Sequence, residues 1–292
     1  MTRQDIIDDF QRLFYASWLD TWANTTWLGV PSEKPAGDLW IYQEIIAELR
    51  PDFVVESGTR YGGSALFMAT VCDALDHGQI VTIDLEELAS SPTCRPWHPR
   101  ITYLTGSSTA PETLERVREL TASAACVMVV LDSDHGMTHV SDELRLYRDI
   151  VTEGSYLIVE DTQFNGHPVA PDGGPGPWEA VEVFLKEAPE FAPDYAREKF
   201  LLTFNPRGYL RKSVSESAAG RLRATSDELI VQRREVEDLR ADVAELEARL
   251  ADERTRSEAV LRSVEQSASW RLTAPLRRLR GIVSGDKGRD DR

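Results

Sequence analysis

Five short runs that are apolar on both faces recur through the first two thirds of the chain: PDFVVES at 51–57, QIVTIDL at 79–85, ITYLT at 101–105, CVMVVLD at 126–132 and SYLIVED at 155–161. A strand with one wet face alternates apolar and polar residues, so runs without that alternation need cover on both sides. Helical patterns separate them, among them one after Gly62-Gly63 and one over 140–151. Together these predict an α/β fold: a Rossmann-like, doubly wound, mostly parallel sheet. Ahead of the sheet, Trp-rich helical segments at 6–27 and 40–49, separated by the turn-rich GVPSEKPAGD, predict a helical cap over 1–50, with the sheet domain at 51–213.

After residue 213 aromatic residues almost vanish. Leu222, Leu229, Val236, Val243 and Leu250 recur at sevens, with Leu239 and Leu246 offset by three and Val260 and Val264 resuming the register. This heptad pattern predicts a coiled coil over 214–268 and, through it, a homo-oligomer. A solvated single helix is the competing reading, because Gln232 and Glu253 interrupt the second apolar position. From 269 to 292, Trp270, Leu272, Leu276, Leu279 and Ile282 lie among arginines; seven Arg/Lys against three Asp from Arg271 onward give +4. A basic amphipathic tail of this kind suits an anionic membrane surface or a partner protein. The whole chain is nevertheless acidic, with 33 Lys+Arg against 49 Asp+Glu and a formal charge of −16. It has no net positive field to exchange for phosphate counterions, so nucleic acid is not an expected partner. Cys72, Cys94 and Cys126 are too few and too scattered for a zinc site or a disulfide framework. With an acidic N-terminus unlike a signal peptide and no apolar run near the roughly 20 residues of a membrane span, the expected location is cytoplasmic, with the tail free to touch the inner face of the membrane.

Two strand ends carry the chemistry. In VVESGTRYGGS, Glu56 precedes a glycine turn with Gly58, Gly62 and Gly63, and Ser64 opens the following helix. Glycines at such a crossing let backbone approach a ligand, and the helix N-terminus offers free N–H groups. The spacing is not that of the dinucleotide fingerprint. Asp84, however, ends the next strand 26 residues after Gly58, where a carboxylate can accept both ribose hydroxyls. An adenosine-containing cofactor fits that pair; a tight turn with a helix-capping Asp is the bland reading. At LDSDH (131–135) and VEDT (159–162), Asp132, Glu160 and Asp161 would repel one another unless a cation offsets them, and oxygen-only ligands in an open site favour Mg2+. His135, three residues past Asp132, is placed to act as general base. Asp134 is well explained as a helix cap.

VVESGTRYGGSALFMA, the GSS at 106–108, VVLDSDH, YLIVEDTQFNGHPV, GPGPWEAVEVFL and the earlier WLGVPSEKPAGDLWIYQE together resemble the cephalosporin hydroxylase and rhamnosyl O-methyltransferase family of class I S-adenosylmethionine-dependent methyltransferases, over residues 27–211. The resemblance implies S-adenosyl-L-methionine as cofactor. Glu56 and Gly58 would lie at its methionine or ribose end, Asp84 at the ribose, and Ser107 and Ser108 near the adenine. Tyr61, Gly62, Gly63, Ser64 and Asp132 would complete that pocket. It also implies Mg2+ on Asp132, Glu160 and Asp161 with His135 as base, and a substrate lid formed by Tyr61 with the loop 163–177. His167 is a second candidate base. Tyr42 and Gln43 match the family pattern without an assignable role. Trp18, Trp22, Trp27 and Trp40 are either a sugar-stacking platform or packing of the cap.

The activity implied is methyl transfer to a hydroxyl of a sugar or polyol. The tail resembles C-terminal segments of enzymes of surface-polysaccharide assembly, which extends the expected substrate to a lipid-linked glycan. Two other classes compete. An Fe(II) oxygenase would use two His and one carboxylate, here His135, His167 and Asp132. A non-catalytic scaffold would dimerise through the heptads and keep a degenerate pocket.

Overall fold

The computed structural model describes residues 1–85 and 95–215 and, further on, residues 243, 248–251, 254–259 and 262–263. The chain forms two compact units, Met1–Ala218 and Ala219–Arg292. In the second unit the described residues are helical and exposed, with Thr255 Oγ1 donating to the Ala251 carbonyl at 2.8 Å and Arg254 reaching Glu258 one turn on. Of the heptad positions, Val243 and Leu250 are described and both are exposed, while Leu222, Leu229, Val236, Leu239, Leu246, Val260, Val264 and the basic tail lie outside the described residues, as does Cys94. No described helix is long and apolar enough to cross a membrane.

The first unit opens with α1 (Arg3–Ala16), whose N-terminus is closed by a reciprocal capping box between Thr2 and Asp5. The expected helix over 6–27 stops there. Ser17 caps it, and two short 3-10 turns, Trp18–Asp20 and Trp22–Asn24, follow because the Thr21 hydroxyl donates back to the carbonyls of Phe14 and Ser17. A small hairpin, β1 (Thr26–Trp27) and β2 (Val30–Pro31), turns through Leu28 and Gly29, both at positive φ (50° and 85°), as a two-residue hairpin turn of the right twist requires. Helix α2 (Ala36–Leu49) leads into the sheet.

The sheet strands and helices alternate: β3 (Phe53–Ser57), α3 (Gly63–Leu75), β4 (Gln79–Asp84), β5 (Ile101–Thr105), α4 (Pro111–Thr121), β6 (Val127–Leu131), α5 (Met137–Tyr147), β7 (Tyr156–Val159), α6 (Pro177–Glu187), β8 (Phe191–Pro193) and β9 (Tyr209–Lys212). Seven strands line up in the order β5-β4-β3-β6-β7-β9-β8. The first five are parallel, and β9 runs antiparallel to both β7 and β8. Strand residues alternate between two cores. Val55, Val81, Val129 and Leu157 face α4, α5 and α6; Val54, Ile80, Met128 and Ile158 face α2 and α3, where Cys72 is also buried. Both faces of the sheet are therefore covered, as the doubly apolar runs required.

From β3 the chain winds outward to β4 and β5, then returns to place β6 on the other side of β3. The loops after β3 and β6 consequently part at this point and leave a crevice at the strands' carboxyl ends, the usual ligand position in open α/β sheets. Ser57 pairs with both Ile83 and Leu131, so β3, β4 and β6 end at the same level.

Candidate active site

A cavity of about 640 Å³ occupies that crevice. Its floor is set by Gly58, which sits at φ +88°; a Cβ there would lie 1.8 Å from the Asp132 carbonyl oxygen. Only glycine permits this approach, and the turn is then stitched to both neighbours. Gly58 N donates to the Ile83 carbonyl at 2.8 Å, and Asp132 N donates to the Ser57 carbonyl at 3.0 Å. Gly62, at φ +81°, caps α3, and Gly63 lies so close to the Pro31 carbonyl that a Cβ would stand 2.2 Å from it. The β1–β2 hairpin is thereby pressed onto the start of α3.

Of the cofactor residues expected from sequence, Gly58, Tyr61, Gly63, Ser64, Asp84, Ser107, Ser108 and Asp132 line the cavity; Glu56 and Gly62 do not. Asp84 ends β4 and accepts from Arg60 N at 2.7 Å, with Arg95 Nη2 at 3.1 Å. Glu56 is fully buried and accepts from Thr82 Oγ1 at 2.7 Å. Burial pushes its carboxyl up to about 7 against the opposing pull of the Lys34 charge. At the Ser107–Ser108 end, His139 Nε2 lies 3.2 Å from Ser108 Oγ and 3.0 Å from Ser133 Oγ. Beside it stands the buried Glu143, whose hydrogen bond raises the imidazole's pKa. The sequence reading did not single out His139, since a histidine in the first turn of α5 looks like an ordinary surface residue.

Asp132, Glu160, Asp161 and His135 all line the same cavity. The donor atoms that lie together differ from the expected acid trio. One ligand atom each of Asp132, His135 and Asp161 fall within 4.8 Å of one another, with His135 Nε2 3.2 Å from Asp161 Oδ2. Glu160 is instead engaged behind them, accepting from Lys34 Nζ and from Tyr42 OH, each at 2.5 Å. Lys34 Nζ also donates to Asp132 Oδ2 at 2.6 Å. Burial raises the carboxyl pKa values of Asp132, Glu160 and Asp161 above the ordinary range. Burial works against the Lys34 charge too, but Asp132, Glu160 and Glu56 outweigh it and keep the ammonium protonated. Asp161 holds φ +55°, a conformation that Asp and Asn tolerate better than most side chains; its amide is held by Asn205 Oδ1 at 3.1 Å. From this position the Asp161 carboxylate lies 3.2 Å from His135 Nε2.

Lys34 and Tyr42 are the residues that sequence reasoning left without a role. Tyr42 matched a pattern only, and a lysine in a turn-rich segment reads as solvated. The cavity's outer wall is aromatic. Tyr15 stacks on Trp22 at 5.6 Å, Phe204 and Phe164 meet them edge-on, and Phe164 lies 5.4 Å from the His135 ring. Trp18 and Trp22 line the cavity, whereas Trp27 packs on Phe67 and Trp40 lies on the surface against Glu44. Of the loop 163–177, Phe164 reaches the cavity. His167 does not; it stacks on Trp178 at 4.2 Å and pairs with Glu179 at 3.1 Å, so a His135–His167–Asp132 facial site is not assembled.

The strand order with one reversed strand, and a glycine turn at the point where the order reverses, define a class I methyltransferase fold. Residues 20–213 match the family described as rhamnosyl O-methyltransferase/CmcI, and the chain belongs to that family, as its motifs implied. It is similar to a rhamnosyl O-methyltransferase of Mycobacterium leprae strain TN, 39% identical over 209 residues that span 70% of this chain and 90% of the relative. It is also similar to a rhamnosyl O-methyltransferase of Mycobacterium tuberculosis strain H37Rv, 38% identical over 209 residues, 70% of this chain and 84% of the relative. Among solved structures, CmcI with Mg and SAM aligns with a TM-score of 0.53 at 21% identity, covering 66% of this chain and 78% of that one. An apo form of CmcI gives 0.52 at 22% identity over the same shares, and both agree on the fold.

Proposed function

We propose that this protein transfers a methyl group from S-adenosylmethionine to a sugar hydroxyl with the help of a divalent ion, Mg2+ by preference. The observation that carries the reading is the joint placement of Asp132, His135 and Asp161 at one end of a cavity whose other end holds Asp84, Ser107 and Ser108. Relatives named for a rhamnosyl acceptor support a sugar substrate. The aromatic wall supports it as well, because Tyr15, Trp18 and Trp22 line the same cavity as the acid cluster, and aromatic side chains suit the apolar C–H side of a sugar ring.

The residues fit the metal: carboxylates on two separate strand ends converge beside an imidazole, and the oxygen donors of Asp132 and Asp161 leave most of a coordination shell to water and substrate, as Mg2+ prefers. Asp132 and Asp161 would hold it, with Glu160 behind them as the third acid of the expected set. When bound, the cofactor supplies an electrophilic methyl group and the ion a Lewis acid that favours an ionised hydroxyl. The chain's own residues do the rest. Asp84 accepts the ribose hydroxyls; the glycine turn at Gly58 keeps side chains out of the cofactor's path; Ser107 and Ser108 border the adenine end. His135 takes the proton of the acceptor hydroxyl at the ring nitrogen that does not face Asp161, and Asp161, 3.2 Å from Nε2, orients the imidazole and offsets the charge it gains. The aromatic wall shuts bulk water away from the line along which the two substrates meet.

Calorimetry tests this assignment. S-adenosylhomocysteine should bind wild type and His135→Ala alike, and 2-oxoglutarate should bind neither. Methyl transfer by His135→Ala should fall about 10²- to 10⁴-fold, the usual worth of a general base. Binding of 2-oxoglutarate in place of S-adenosylhomocysteine would instead support an oxygenase.

A further inference from the structure

We infer that Lys34 is a built-in counter-cation of the acid cluster, which a divalent ion must displace from Asp132 in order to bind. This rests on the metal site of the proposed function but concerns a residue outside the expected ligand set.

The side chain of Lys34 is only 5% exposed and its ammonium touches two carboxylates from different strands, Asp132 after β6 and Glu160 after β7. Burying an ammonium is costly unless it is paired, so this placement is held by the fold. The Thr25 hydroxyl holds the Lys34 backbone, accepting from its amide at 3.1 Å and sharing its one proton between the Lys34 carbonyl at 3.0 Å and the Trp22 carbonyl at 2.8 Å. The hairpin carrying that contact is fixed where the Pro31 carbonyl abuts Gly63. A flexible surface lysine would have none of these constraints.

The geometry makes the ammonium and a metal ion competitors for one atom. Asp132 Oδ2 is the acceptor for Lys34 Nζ, and Asp132 is one of the residues whose ligand atoms converge with His135 and Asp161. Without a divalent ion the ammonium keeps Asp132 and Glu160 from repelling each other, so the strand ends stay assembled. With the ion present the ammonium gives up Asp132 and keeps Glu160. A tethered cation that can release one carboxylate while holding the other lets the site fill and empty without leaving buried charges unpaired.

An interaction that is coupled to a binding event typically changes its affinity by about 5- to 150-fold. Titration calorimetry of full-length wild type and Lys34→Met with MgCl2 alone, without cofactor or acceptor, should therefore show Mg2+ binding at least about fivefold tighter in the variant. In thermal melts, Lys34→Met should have a lower Tm than wild type in EDTA, and saturating Mg2+ should recover most of the difference. Lys34→Arg, which keeps the charge, should bind Mg2+ close to wild type. Should Lys34→Met fail to fold without metal, Lys34→Gln keeps a donor without the charge and serves the same comparison. A purely structural lysine would lower Tm by the same amount with and without Mg2+. Equal Mg2+ affinity in wild type and variant would overturn the inference while leaving the metal site standing. Binding to the variant alone would support the inference and count against Mg2+ as the native requirement, and binding to neither would overturn both.

Discussion

Asp161→Asn should lose methyl transfer by about 10³-fold or more while binding S-adenosylhomocysteine as tightly as wild type. The size follows from what the residue touches. Asp161 supplies one of the two carboxylates that would hold the ion and is the carboxylate 3.2 Å from His135 Nε2, so its removal weakens the metal site and the orientation of the base together. It lies on the strand end after β7, whereas the cofactor end of the cavity is built from the loops after β3, β4 and β5, which the change does not reach. Asn is the informative variant because Asp161 sits at φ +55°, where Asn is well tolerated. Asp161→Ala should show the same loss of turnover plus about 1 kcal/mol of instability from its backbone conformation. Comparing the two in kinetics and melts separates the chemistry from the fold. Full turnover in Asp161→Asn would remove the acid cluster from the mechanism.

Gly58→Ala should cost about 4 kcal/mol or more of stability, at the upper end for single substitutions. The new Cβ would stand 1.8 Å from the Asp132 carbonyl oxygen, and this is backbone pinned by the hydrogen bond from Asp132 N to the Ser57 carbonyl. Neither side can yield without separating β3 from β6. At about 2–4 °C per kcal/mol for a domain of this size, Tm should fall by roughly 8–16 °C. Gly29→Ala is the control. Gly29 has almost the same φ, +85°, but a Cβ there meets nothing within 4 Å, so its cost should be that of the backbone conformation alone, about 1 kcal/mol. Similar melting temperatures for the two variants would mean that the close approach of the Gly58 turn to Asp132 is not what the structure depends on.

The fold was legible where burial leaves its mark on composition. VVES, IVTID and VMVVL lack polar alternation because α-helices cover both faces, and each became a strand of the parallel sheet. Strands β8 and β9 were not legible. Each is short, and Tyr209 and Leu210 are the only buried residues of β9, a run too brief to carry a period. The end of α1 was equally hidden, since it depends on Thr21 bonding back to carbonyls of the preceding turn rather than on any Gly or Pro.

The site shows the same division. Asp132, His135, Glu160 and Asp161 could be read because carboxylates crowded at strand ends need a reason. Lys34 could not, because what makes it important is a tertiary event: a hairpin 98 residues from Asp132 in sequence delivers its ammonium to the acids. Glu160 was readable as an acid but not in its orientation, which Lys34 and Tyr42 decide.

Transfer of a labelled methyl group from S-adenosylmethionine to a rhamnosyl glycoside, measured with and without excess EDTA, bears on the central claim most directly. The proposed function predicts label in the sugar as an O-methyl ether, lost in EDTA and restored by Mg2+. Full transfer in EDTA would contradict the metal-assisted site, and no transfer to any sugar hydroxyl despite tight S-adenosylhomocysteine binding would contradict the sugar O-methyltransferase assignment itself.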